Sequence, residues 1–117
     1  LDPSCAEASA VIGDLTLQQL AGLPLKSGST APRLVDVLRT CRAIGNPARM
    51  VVEIKPGNAE AVEVLGELHS ADATLFDSVS VVMSFDLEMA KQSARLINSR
   101  FPDVPLGSRP TVLYLRA

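Results

Sequence analysis

The chain has no tryptophan, and among its 117 residues are only one tyrosine, three phenylalanines and one histidine. So few rings leave little from which to build a base-stacking platform or an aromatic carbohydrate groove. Packing must therefore rest on Val, Leu, Ile and Ala. A formal net charge of −2 provides no field that would attract nucleic acid or an anionic membrane, and neither partner is expected. No run reaches the roughly 20 apolar residues needed to span a bilayer, and the N-terminus lacks the charged-then-apolar pattern of a signal peptide, so a soluble chain is expected. Cys5 and Cys41 have neither a metal-ligand spacing nor the density of a disulfide scaffold. They read as two free thiols in a reducing compartment, the cytoplasm by default.

What is present is an alternation of elements. Residues 1–13 carry no sustained period and read as loop. Thr16 and Gln19 have the spacing of a capping box, opening a short helix with Leu17 and Leu20 that Gly22 and Pro24 stop. Pro32 suits the first turn of a second helix with an apolar stripe of Leu34, Val37, Leu38, Cys41 and Ile44; Gly45-Asn46-Pro47 ends it. Beyond it the pattern predicts strand Met50–Lys55, helix Asn58–Ser70, strand Val79–Phe85, helix Asp86–Phe101 with Asp86 as its N-cap, and strand Thr111–Leu115. Nearly continuous apolar strands, separated by connections long enough for helical crossovers, point to a parallel α/β sheet.

Within that frame Met50-Val51-Val52-Glu53-Ile54-Lys55 stands out, because an acid and a base end an otherwise apolar strand. Alternation puts Val51, Glu53 and Lys55 on one face and Val52 and Ile54 on the other. A carboxylate and an ammonium on a buried face need each other, a metal or an anionic ligand. Helices on one side only would leave Val51, Val82 and Val112 facing solvent. Strands curving toward a barrel would bury those side chains inside it, with chemistry at the C-terminal strand ends. Glu53, Lys55 and Ser84 are thus expected to converge on one rim. His69, in the last turn of a helix, reads as a solvated residue near a favourable dipole end. Asp72 and Asp77 read as solvated turn residues, and Arg39, Arg42 and Arg49 as cations that need no ligand.

The order Val11-Ile12-Gly13-Asp14-Leu15-Thr16-Leu17-Gln18-Gln19-Leu20, Pro32-Arg33-Leu34-Val35-Asp36-Val37-Leu38, Val52-Glu53-Ile54-Lys55 and Met83-Ser84-Phe85-Asp86 resembles the glycerophosphodiester phosphodiesterase family. The resemblance runs from Val11 to the C-terminus. It implies a TIM (β/α)8 barrel that hydrolyses glycerophosphodiesters such as glycerophosphocholine to glycerol 3-phosphate and an alcohol with a divalent cation, magnesium or calcium. By position it makes Glu53 a metal ligand and Lys55 a substrate-binding residue beside the phosphate, with Ser84 packing or lining the rim. The family's His-Arg-Gly strand end, the acidic pair after it and its His-Asp pair are absent, so no catalytic acid or base is expected in this chain. The resemblance therefore implies that residues 1–117 are a partial domain, about strands 4 to 6 of an incomplete barrel, inactive alone and completed by the remainder of the barrel. Leu1 in place of an initiator methionine agrees with a piece of something longer. The alternatives are a truncated family member or a non-catalytic α/β module that binds a partner.

Overall fold

A computed structural model describes residues 1–45, 49–100 and 109–116. The chain divides into two compact units, Leu1–Val37 and Leu38–Ala117.

The first unit is mostly turns, with a 3-10 turn at Ile12–Asp14 and one short helix, α1 (Leu17–Ala21). The capping box forms as the spacing predicts: Gln19 N donates to Thr16 Oγ1 at 3.2 Å and Thr16 N to Gln19 Oε1 at 2.8 Å. Two otherwise unpaired amides at the helix start are satisfied in this way. Helix α2 (Leu34–Ile44) begins in this unit, where Arg33 pairs with Asp36 across one turn.

In the second unit the rest of α2 leads to β1 (Met50–Glu53), α3 (Ala59–Ala71), a 3-10 turn (Ala73–Ser78), β2 (Val79–Ser84), α4 (Leu87–Arg100) and β3 (Thr111–Tyr114). The three strands pair in parallel in the order β1-β2-β3, as the long connections required. Asp86 caps α4, its Oδ1 accepting from Glu88 N at 2.8 Å and Met89 N at 3.3 Å. Asn46, Pro47 and Phe101, which figured in the predicted helix ends, lie outside the described residues.

Register decides which side chains share a face. Val52 sits opposite Val82, which sits opposite Val112, and Val51 pairs with Val81. Ile54, Val82 and Ser84 are buried, whereas Val51 is 60% and Leu113 41% exposed. Helix α4 packs on β2 and β3 and against α3, so the buried face is the helix side. The expected grouping of Val51 with Val82 and Val112 is therefore wrong: Val82 and Val112 lie on the covered side, and the open side carries Val51, Glu53, Val81, Met83 and Leu113. The phase error arises because strands of similar pattern do not reveal which residues stand opposite one another until they pair. A bulge between Met50 and Val51 leaves Ser80 without a partner in β1.

The core under the sheet is largely aliphatic, as the scarcity of rings required: Leu65, Leu75, Val79, Val82, Met89 and Ile97 are buried, with the ring of Phe76. Gly66 brings α3 close to α4, since a Cβ there would lie 2.7 Å from Leu96 Cδ1. The sheet is thus a one-sided, three-stranded parallel unit among the described residues.

Candidate functional site

Strand β1 ends at Glu53, two residues short of the expected Lys55. Ile54 N still donates to Met83 O at 2.8 Å, after which Pro56, which lacks an N–H, and Gly57, at φ +75°, turn the chain toward α3. A positive φ is easy only for glycine, so this turn fixes where the strand stops. Asn58 Nδ2 steadies it by donating to the carbonyls of Lys55 and Pro56, both at 3.1 Å.

Glu53 and Lys55 are side by side at the C-terminal rim. Lys55 Nζ lies 2.7 Å from Glu53 Oε1, with side-chain exposures of 70% and 29%. The distance is that of an ion pair, but the approach misses the angles of a hydrogen bond, and Oε1 is buried with no hydrogen-bond donor. An ammonium at 2.7 Å attracts a carboxylate from any direction. A buried acceptor without a donor is destabilising by about 1–3 kcal/mol. The exposed ammonium offsets part of this, weakened by solvent. Among the described residues the ammonium of Lys55 is thus the partner that Glu53 Oε1 faces.

Ser84 reaches the same rim on the other face. It is fully buried, and its Oγ donates to Ile54 O at 2.6 Å and accepts from Asp86 N at 3.0 Å. Glu53, Lys55 and Ser84 thus share one end of the sheet, as expected, but Ser84 points to the helix side and not toward the pair. Its ties across elements are the feature sequence reasoning missed; the available signal was a lone serine closing an apolar strand two residues before a helix cap.

The other polar residues gather at the opposite end. Asp72, expected to be a solvated turn residue, is bonded on several sides. Its Oδ1 accepts from Thr74 N at 3.1 Å and Thr74 Oγ1 at 2.6 Å, and Oδ2 pairs with Arg42, which also donates to Thr74 Oγ1 at 2.9 Å. The bonds from Thr74 and Arg42 hold the Asp72 carboxyl below its ordinary pKa. Arg49 donates to the carbonyl of Asp77. Arg42 and Arg49 are thus engaged by the fold and do not form an anion cradle. His69 is partly buried with its ring edge-on to Phe76 at 5.5 Å; burial, and then the charge of Arg100, push its pKa down. It lies in the last turn of α3, which leads into the start of β2, so it stands at the far end of the sheet from Glu53.

No group of three or more His, Cys, Asp or Glu able to hold a metal ion occurs among the described residues. Magnesium or calcium takes six or more oxygens, and Glu53 offers one carboxylate with an ammonium against it, so these residues do not by themselves fit the cation that the resemblance implies. Two surface grooves, about 530 Å3 between α3 and α4 and about 230 Å3 beside the start of β3, are lined by neither Glu53 nor Lys55. Among the described residues no helix is long and apolar enough to cross a membrane. Cys5 and Cys41 are free thiols. Compared with protein-family models, curated proteins and solved structures, the chain matches none.

Proposed function

We propose that this chain supplies Glu53 and Lys55 to the rim of a metal-dependent phosphodiesterase that hydrolyses glycerophosphodiesters, such as glycerophosphocholine, to glycerol 3-phosphate and an alcohol. One observation carries the proposal: a carboxylate with a buried oxygen and a lysine beside it stand at the C-terminal end of the strands of a parallel sheet, on the face turned away from α4. In parallel βα architectures that end is where chemistry is placed. Antiparallel pairing of β1, or Glu53 turned toward the helices, would have argued against it.

In this role Lys55, 70% exposed, has the reach and charge to offset the negative charge of a phosphodiester. Glu53 would contribute one hard oxygen toward a divalent cation, magnesium or calcium, whose remaining ligands would come from residues other than those described. The proton transfers likewise need groups from elsewhere, since His69 stands at the opposite end of the sheet. The open face, with Val51, Val81, Met83 and Leu113, supports a place inside a larger (β/α)8 barrel whose remaining strands cover it. A second reading, a non-catalytic α/β module, is favoured by the 2.7 Å approach of Lys55 Nζ to Glu53 Oε1, which puts an ammonium where a cation would bind.

Adding glycerol 3-phosphate to the isotopically labelled chain separates the two. The nuclear magnetic resonance signals of Lys55, 70% exposed, should shift, and the shift should vanish in Lys55→Met. Absence of any shift at Lys55 at millimolar ligand would sink the phosphodiesterase role. The chain alone should show no turnover of glycerophosphocholine with magnesium or calcium; clear turnover would mean that it holds a complete site.

A further inference from the structure

We propose that Ser84 is the positioning residue of the Glu53–Lys55 pair, setting the separation of the two side chains through the backbone of Ile54. Its functional meaning rests on the role proposed for that pair, whereas the structural claim stands on geometry alone.

Ile54 is the residue between the two charges, and both of its peptide groups are held by β2. Its N–H donates to Met83 O at 2.8 Å, a continuation of the ladder. Its carbonyl accepts from Ser84 Oγ at 2.6 Å. In a continued parallel ladder that carbonyl would accept from the next backbone N–H of β2. There β2 ends and the chain bends toward α4, so the serine hydroxyl takes the place of a rung. The tie extends the fixed backbone by one peptide past the end of β1, to the point where Lys55 departs. Asn58 holds the chain from the Lys55 carbonyl onward, so without the serine the Ile54–Lys55 peptide loses its tie to β2, and with it the fixed separation of Lys55 from Glu53.

The serine is itself held rigidly. It is fully buried, its Oγ accepts from Asp86 N at 3.0 Å, and its backbone carbonyl accepts from Leu115 N at 3.0 Å. One residue thus joins the C-terminal ends of all three strands and the cap of α4. Ser93 offers a contrast: it is equally buried, but its hydroxyl donates to Met89 O, four residues earlier in its own helix, at 2.7 Å. Such a local bond is ordinary for a helical serine and fixes nothing at the rim.

The test compares Ser84→Ala with Ser93→Ala in the full chain, reading the nuclear Overhauser contact between Lys55 Hε and Glu53 Hγ well below the melting temperature. Ser84→Ala should lose that contact, and Ser84→Thr, which keeps the hydroxyl, should restore it. Ser93→Ala should keep it even if its melting temperature falls as far. Retention of the contact in folded Ser84→Ala would overturn the inference. Should that variant not fold, the wild-type chain still decides: the Ser84 hydroxyl proton should exchange slowly and couple to the Ile54 carbonyl, and rapid exchange with no coupling would overturn it. A parallel titration of wild type with manganese, read as line broadening at Glu53, reports on the metal role separately. Absence of broadening with the contact intact would remove the metal role and leave the positioning role standing.

Discussion

Replacing Val82 by threonine changes shape hardly at all, yet exchanges a methyl for a hydroxyl at a site 2% exposed on the central strand. Its cross-strand neighbours are Val52 and Val112, neither of which offers a hydrogen-bond partner, and backbone carbonyls inside the sheet are occupied by the ladder. A hydroxyl buried without a partner costs about 1–3 kcal/mol. At roughly 4–8 °C per kcal/mol for a domain of this size, the midpoint should fall by roughly 5–20 °C. The matched change Val51→Thr places its hydroxyl on the open face at a position 60% exposed, where water satisfies it, and should alter stability by no more than about 0.5 kcal/mol. Urea and thermal melts followed by far-ultraviolet circular dichroism measure both. The contrast is diagnostic because the two valines stand on opposite faces only in the observed register. Equal losses would mean that both faces are covered in solution, and would refute the one-sided sheet.

Two further outcomes follow from local geometry. Gly57 has φ +75° and no atom within 4 Å of where a Cβ would stand, so Gly57→Ala should be destabilising by about 1–2 kcal/mol through backbone strain alone, and Gly57→Asn by less; an unchanged urea midpoint for the alanine variant would refute the turn geometry. His69 is held below its ordinary pKa of 6.5 by burial and then by Arg100, so over the interval between the two values the folded chain binds fewer protons than the unfolded one. Its contribution to stability is whole above about pH 6.5, declines as the pH falls below that, and levels off beneath the folded-state value. Melts between pH 7.5 and 4.5 should show this component, and His69→Gln should lack it; an identical slope in the variant would refute the assignment.

Several parts of the chain could be read without the fold because their causes are local. Thr16 and Gln19 sit three apart, and a capping box needs nothing more. Asp86 precedes an amphipathic stripe and caps it. Pro56-Gly57 ends a strand wherever it occurs, although β1 stops at Glu53 and Lys55 lies beyond it. Asp72 is the exposed turn residue its position suggested, 39% exposed, but its partner Arg42 is 30 residues away, and no local pattern announces such a contact.

The sequence by itself determined the alternation of apolar strands and amphipathic helices, hence a parallel sheet, and set Lys55 two residues after Glu53, a spacing that directs both side chains to one side of an extended chain. Only the tertiary structure decided the phase of each strand against the next. That phase put Val82 beneath the helices and left Val51 in the open, turned Ser84 away from the charged pair, and gave it the carbonyl of Ile54. A slip of one residue would exchange every face, and only the pairing of strands about 30 residues apart fixes it.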